Sequence, residues 1–436
     1  MKLLKIASLK VGFPVFLLLV SGSLAQSPEE LPAQLTLKEA LQTALKYHPS
    51  LRSAEASVNA THAQLTQARS NFFPELSFTA GGSHIDGYFV FNPSFPARKQ
   101  AYDSYNAAFQ VQQIILDFSK TFTRVSAGKY NLESVRFDYQ SIRQAVAVNV
   151  QITYFQLIEN QSLVLVNEQT VKQAESHLKQ AQGFHSVGKS PQFDVIRAEV
   201  DVANANVALI SARNMLDVVR LQLQNAMGIS VPQTFTAVDS FSVEPVTFTL
   251  DSAILIASGQ RPELRSAQAH IHSNHALVNV ARSQHLPTLL ASGSYAWNGF
   301  DFPLQSRWSA GLTLSFPIFQ GFNIVAQVQQ MQAEEEAAMA AYDALSQQVT
   351  LEVQENYLKM NEAQERILAT QKLLEQAREN LRLAEARYNS GIGSAIEITD
   401  ARTVMCSASI NNIQAMYDYN SSLIYLKKAM GILLSD

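Results

Sequence analysis

"TLKEALQTALKYHPSLRSAEASVNATHAQLTQARSNFFPEL", residues 36–76, returns as "TLDSAILIASGQRPELRSAQAHIHSNHALVNVARSQHLPTL", residues 249–289. Pro49 aligns with Pro262, Leu51 with Leu264, Arg52 with Arg265, Arg69 with Arg282 and Pro74 with Pro287, all at a spacing of 213 residues with no gap. Further on the spacing falls to 203. Tyr154 then meets Tyr357, Leu178 meets Leu381, Gly188 meets Gly391, and Ala226-Met227-Gly228 meets Ala429-Met430-Gly431. The chain is therefore an internal duplication. The first copy carries ten extra residues between about Ser83 and Ile114. Length differences collect in exposed loops, so a longer surface loop is expected there. The division that follows is residues 1–25 as a leader, 26–229 and 249–436 as the two repeats, and 230–248 as a linker.

Composition narrows the class. The 436 residues are 47% hydrophobic, which excludes a disordered chain. Charged residues make up 16%, below the ~25% of ordinary globular domains, so Gln, Asn, Ser and Thr must supply the polar surface. A net charge of −4 gives no footprint for a nucleic-acid partner. A lone Cys406 excludes internal disulfides and cysteine-based zinc sites. Lys2, Lys5 and Lys10 precede and flank an apolar run, Val11 to Val20, and Ser23-Leu24-Ala25 is a small-x-small site. This reads as a secretory signal peptide, with a mature chain from near Gln26. The run is too short to span a bilayer, and no apolar run of about 18 residues follows it.

Each copy repeats one order of elements. Leu37, Ala40, Leu41, Ala44 and Leu45 form a helical face that Pro49 interrupts, and a second helix continues to Pro74. Strands follow. Trp308, Ala310, Leu312, Leu314 and Phe316 alternate with Ser309, Gly311, Thr313 and Ser315, after a weaker partner from Leu289 to Tyr295. In the first copy Tyr105, Ala107, Phe109 and Val111 alternate with Asn106, Ala108, Gln110 and Gln112, with a partner near Leu76 to Ser83. Each strand reads as about ten residues, the length a tilted strand needs to cross a bilayer. From Asn323 to Ser390 there is neither Gly nor Pro, and Ser119 to Gln182 contains only Gly128. A helix of ~65 residues would be about 100 Å long. Gly188 and Gly391 then end these helices, Ser190 and Ser394 are candidate N-caps, and a returning helix of ~35 residues closes each copy.

These elements make a physical demand. Four membrane-length strands cannot close a barrel, and an open sheet edge is not tolerated in lipid. If the strands span, the chain must oligomerise. A dimer supplies eight strands and a trimer twelve. The long helices then hang on one side of the barrel as a tube.

The duplicated order resembles the outer membrane efflux protein family over nearly the whole mature chain. The family's turn pattern stands here as Tyr388, Gly391, Ser394, Glu397, Asp400 and Ala401, and its strand exit as Pro317, Ile318, Phe319 and Gly321. The first copy departs at that exit, with Ile114, Ile115, Leu116 and Asp117. The resemblance implies a mainly α fold with a membrane β-barrel part: a homotrimer with a twelve-stranded barrel in the outer membrane and a helical periplasmic tunnel. It implies a passive gated duct for small molecules, no cofactor and no catalysis. Its partners would be a periplasmic adaptor (membrane fusion protein), an inner-membrane pump of RND or ABC type, and outer membrane lipid. The alternatives are the outer membrane component of type I protein secretion and a soluble periplasmic coiled-coil scaffold.

The site residues follow from the same match. Glu397 and Asp400 lie three apart on one helical face and, in a trimer, would form carboxylate rings at the periplasmic tip that favour cations. The plain alternative is an acidic helix start that suits the helix dipole. Asp194 and Arg197 are their counterparts in the first copy and could pair with each other. Gly188, Ser190, Tyr388, Gly391 and Ser394 mark the two tips, where the family meets its adaptor. Some family members lock the tip with an Arg where this chain has Gly393, leaving Lys189, Arg197 or Arg387 as substitutes. Tyr295, Trp297, Trp308 and Phe89 or Phe91 are candidates for an aromatic girdle. His270, His272 and His275, with His62 matching His275, lack the i, i+4 spacing of a helical metal site.

Overall fold

A computed structural model describes residues 32–89, 98–231, 233–241 and 249–434. The leader, Phe91, the side chain of Phe89 and, within the 230–248 linker, residues 232 and 242–248 lie outside the described residues.

Two short helices open each repeat. Helices α1 (Leu37–Tyr47) and α2 (Pro49–Ser70) correspond to α5 (Leu250–Gln260) and α6 (Pro262–Ser283). Thr36 and Thr249 cap α1 and α5 through capping boxes with Glu39 and Ser252. Pro49 and Pro262 sit at the first position of α2 and α6, where a missing N–H costs nothing, so the elbow before each is built into the sequence. The long helices α3 (Lys120–Ser186) and α7 (Asn323–Asn389) are each 67 residues, and the returning helices α4 (Gln192–Ala226) and α8 (Ala395–Ala429) are each 35. No helix among the described residues is long and apolar enough to cross a membrane.

The duplication is visible in the core. One cluster joins Ala40, Ala44, Leu51, Val146, Val150, Leu157, Leu223 and Met227; the other joins Ala253, Ala257, Leu264, Val349, Val353, Met360, Leu426 and Met430. Each member of the first list is the repeat equivalent of the same member of the second. The first core is tied to the linker. Strand β1 (Gln34–Leu35) pairs in parallel with β4 (Thr236–Ala237), and the buried Tyr154 hydroxyl donates to the Leu35 carbonyl at 2.8 Å or to Asp239 Oδ2 at 2.7 Å. Burial pushes that hydroxyl far above the usual tyrosine range, so it stays a donor.

The helices stack by level. Near the strands, α2 packs on α3, α3 on α6 and α6 on α7; towards the tips, α3 packs on α4 and α8, and α8 on α7. Both levels therefore hold four helices per chain. Gly128 permits the close approach of α2: a Cβ there would lie 3.2 Å from Leu65 Cδ1.

Strands β2 (Glu75–Phe89), β3 (Arg98–Leu116), β5 (Thr288–Gly299) and β6 (Gln305–Ser315) form one antiparallel sheet in the order β2-β3-β5-β6. The expectation of strands near ten residues holds for β5 and β6, at 12 and 11, and fails for β2 and β3, at 15 and 19. The extra residues of the first copy are not all loop. They lengthen the β2–β3 ladder, which continues to Phe89 opposite Arg98, beyond the level where β5 ends opposite Tyr105. Above that level the β5–β6 loop covers the open edge of β3. Phe300 meets Tyr102 edge-on at 5.0 Å, and Phe302 lies 5.1 Å from Tyr105. Tyr102 and Tyr105 point to opposite faces of the strand, so the loop straddles it.

Candidate functional site: a two-faced sheet and a helical tip

The register sorts every strand residue onto one of two faces. Phe78, Phe109, Tyr295 and Trp308 stand in one row across all four strands, with Leu76, Val111, Gly293 and Ala310 in the next row on that face. The rows between are polar: Ser77, Gln110, Ser294 and Ser309, then Glu75, Gln112, Ser292 and Gly311. The Ser294 and Ser309 hydroxyls are 2.9 Å apart. An apolar face with aromatics opposite a polar face is the pattern of a barrel with lipid outside and water inside. Trp308 is 73% and Phe78 55% exposed in the single chain, and β2 and β6 are unpaired edges. Of the candidate girdle, Tyr295, Trp297 and Trp308 all stand on the apolar face, and Tyr295 meets Trp297 at 4.7 Å.

The helices also carry an unpartnered face. Phe193, Ile196, Val200, Val207, Ile210, Val218 and Leu221 are exposed along α4 at steps of three, four, seven or eight. That is a coiled-coil seam without its partner within the chain. Leu351, Leu358 and Leu368 are similarly exposed on α7 at the other side of the chain.

At the far end the two tips lie side by side. Gly188 and Gly391 adopt φ of +75° and +74° just beyond α3 and α7, as a left-handed helix end requires. A cavity of about 330 Å³ between them is lined by Phe184, Lys189, Ser190, Asp194, Tyr388 and Ser394, among others. Ser394 caps α8 by accepting from the Glu397 N–H at 3.3 Å. Ser190 does not do the same for α4. The residue at the N-cap is Pro191, and the Ser190 hydroxyl donates instead to Asp194 Oδ2 at 2.5 Å. Proline fixes the entry and frees the serine for the carboxylate.

The acidic residues divide by partner. Glu397 is held by Arg387, Nε to Oε2 3.2 Å, across the turn, and Asp400 is exposed one turn further on. Asp194, bound by Ser190, makes no ion pair with the half-buried Arg197 in the single chain. Of the three cations considered for the tip, Arg387 is the one that clamps a carboxylate. Gly393 is fixed by space: a Cβ there would lie 2.9 Å from the Tyr388 nitrogen and 3.0 Å from Arg387 Cβ, while its own N–H donates to the Arg387 carbonyl at 3.0 Å.

Behind the turns, Tyr388 of the turn pattern anchors a layer whose other members the motifs do not reveal. Tyr388 is buried against His177 at 5.4 Å and Phe184 at 5.6 Å, with no hydrogen-bond partner for its hydroxyl among the described residues. Burial and the nearby Asp194 raise its pKa, and burial lowers that of His177, so both are neutral at physiological pH. Thr399 donates to Asp201 Oδ2 at 3.0 Å, joining α8 to α4, and Arg402 reaches Glu385 at 3.4 Å. Tyr388 belongs to the turn pattern, whereas His177, Asp201 and Arg402 lie about three turns from the glycines and carry no sequence signal. The histidines scatter: His275 Nδ1 lies 2.8 Å from Glu335, and the His272 ring lies tilted against Tyr130 at 5.3 Å.

The sequence profile described as "Outer membrane efflux protein" matches residues 40–229 and 254–432. The chain is 27% identical over 425 residues to the outer membrane protein TolC of Escherichia coli, covering 91% of this chain and 82% of TolC. It is 24% identical over 407 residues to the probable efflux pump outer membrane protein TtgC of Pseudomonas putida, with the same coverage. In structure it resembles the CmeC outer membrane channel of Campylobacter jejuni, with a TM-score of 0.82 at 19% identity over 92% of this chain and 87% of that one. It also resembles the open state of the MtrE outer membrane channel of Neisseria gonorrhoeae, with a TM-score of 0.77 at 19% identity, covering 92% and 90% of the two chains. Repeat, two-faced sheet and paired helical tips agree with these matches, and the chain belongs to the outer membrane efflux protein family.

Proposed function

We propose that this protein is the outer membrane duct of a tripartite efflux system. Three copies close twelve strands into a barrel, and their helices continue it as a periplasmic tunnel. The observation that carries the reading is the sheet. Its polar and apolar faces are both solvent-exposed and both edges are open, a state that only closure with other copies in a membrane resolves. Four helices per chain at each level give twelve around the tunnel, the same number as the strands.

The duct performs no chemistry. Solute enters from a periplasmic adaptor and an inner-membrane pump of RND or ABC type, and the tips admit it. Gly188, Ser190, Tyr388, Gly391 and Ser394 form the surface that meets the adaptor, and Glu397, Asp400, Asp194 and Arg197 line the entrance. The Arg387–Glu397 pair braces the second turn, while the buried Tyr388 layer and the Thr399–Asp201 bond join the two hairpins in the resting tip. Opening must separate α7 and α8 from α3 and α4, because the contacts that join the hairpins run between them.

The test is a deletion strain assayed for toxic small molecules and for secreted polypeptides. Hypersensitivity to dyes, detergents or antibiotics that a plasmid copy reverses is expected. Loss of a secreted polypeptide with normal drug resistance would move the protein to type I secretion.

A further inference from the structure

Arg307 is the third residue of β6 counted from the β5–β6 loop, on the end of the sheet away from the helices. Its row is Thr79, Ala108, Ala296 and Arg307, on the polar face and therefore on the lumen side. Four rows of that face run through all four strands. Within them the charged residues are Glu75, at the first position of β2 on the helix side, and Arg307. The three residues that share a row with Arg307 are small and uncharged. Trp308, its neighbour, points to lipid and fixes the orientation of β6. Arg307 is exposed and takes part in no ion pair among the described residues.

We propose that three Arg307 side chains form a cationic collar just inside the outer mouth of the barrel, which concentrates small anions there and opposes the return of cations. Rings of one charge act on permeant ions through their summed field, most strongly in a narrow lumen. The collar sits at the opposite end of the duct from the carboxylates of the tip. Its preferred ligands are carboxylate- or phosphate-bearing solutes, which a guanidinium binds through paired N–H donors.

The experiment is reversal-potential recording of purified trimers in planar bilayers under a potassium chloride gradient. The Glu397→Ala, Asp400→Ala background removes the tip acids, so the barrel contributes visibly. In that background Arg307→Ser should shift the chloride-to-potassium permeability ratio towards potassium by about twofold, the size expected for three charges about one Debye length from the pore axis. Arg307→Glu should shift it further, and Arg307→Lys should leave it unchanged. Equal ratios for all four proteins would overturn the collar. A second reading tests the facing alone. Arg307→Cys with Cys406→Ser should react with a sulfonated thiol reagent added to the outer side and change conductance stepwise. Absence of any change in current would place the side chain outside the lumen and overturn the proposal.

Discussion

Gly228 lies so close to His48 that a Cβ added to it would come within 2.8 Å of the His48 Cα. Its repeat equivalent Gly431 stands in the same relation to Gln260 and Arg261, 2.8 and 2.9 Å away, and the two glycines have φ of +77° and +76°. The end of each returning helix is thus seated against the elbow between the two short helices of its own repeat. Gly228→Ala adds left-handed strain of about 1–2 kcal/mol to a backbone clash. Gly188→Ala adds the strain alone, because nothing lies within 4 Å of it. Melting of the detergent-solubilised trimer should drop by several degrees more for Gly228→Ala than for Gly188→Ala.

Beside Gly431 the second repeat adds an ion cluster that the first lacks. Buried Arg261 pairs with Glu263 at 2.9 Å and Glu352 at 2.5 Å and donates to the Ala429 carbonyl at 3.1 Å, while Lys428 reaches Glu352 at 2.8 Å. The position equivalent to Arg261 is His48. Arg261→Ala would leave two half-buried carboxylates short of a partner, a change that costs about 3–5 kcal/mol for buried pairs. Loss of heat-stable trimer is the expected result, with partial recovery when Glu352→Gln is added. Burial pushes Glu263 and Glu352 up, yet Arg261 with the Ser141 hydroxyl holds Glu263, and Lys428 with Arg261 holds Glu352, below the usual range. Their stabilisation is therefore present above the ordinary carboxylate pKa and is lost as pH falls through the depressed values.

Glu159 on α3 behaves in the opposite sense. Burial first, and then the charge of Asp418 on α8, raise its pKa to about 7. Asp418 itself is held by Arg366 at 2.9 Å. A raised carboxyl pKa gives stability that is complete below pH 4.5 and disappears as pH rises through 7. Glu159→Gln should raise the melting temperature at pH 8.5, by the equivalent of about 2–3 kcal/mol, and change little at pH 4.5. Equal effects at both pH values would show that Glu159 is not the titrating group between the hairpins.

The face assignment of the sheet predicts an asymmetry between neighbours. Trp308→Arg places a charge on the lipid side, where the cost falls from about 2–4 kcal/mol at the bilayer centre to about 0–1 kcal/mol near the interface, and should reduce the assembled trimer in outer membrane fractions. Ser309→Arg places the same charge in water and should assemble normally.

Much of this architecture was legible in the sequence because repetition and period are backbone-level signals. Pro49 and Pro262 marked the elbows, Gly188 and Gly391 the tips, and the alternation ending at Ser315 the sheet. The lengths of β2 and β3 were not legible, because the residues after Ser83, Asp86 and Gly87 among them, read as loop until pairing with β3 defines them as strand. The tip was half legible. Glu397 and Ser394 follow from local spacing, but the Arg387 clamp crosses a turn, and the Tyr388–His177 contact crosses 211 positions and two repeats. Ser190 was misread as a cap because the pattern of a polar residue before a helix does not show which of two adjacent residues turns the chain.

The central claim is that three chains close one water-filled duct whose entrance is set by acids at the helical tips. Single-channel recording of purified trimers in planar bilayers tests it most directly, comparing the natural protein with the Glu397→Ala, Asp400→Ala variant. The account predicts channels of small conductance that prefer cations, with the preference markedly reduced in the variant. Absence of channels, or a cation preference untouched by the two substitutions, would contradict it.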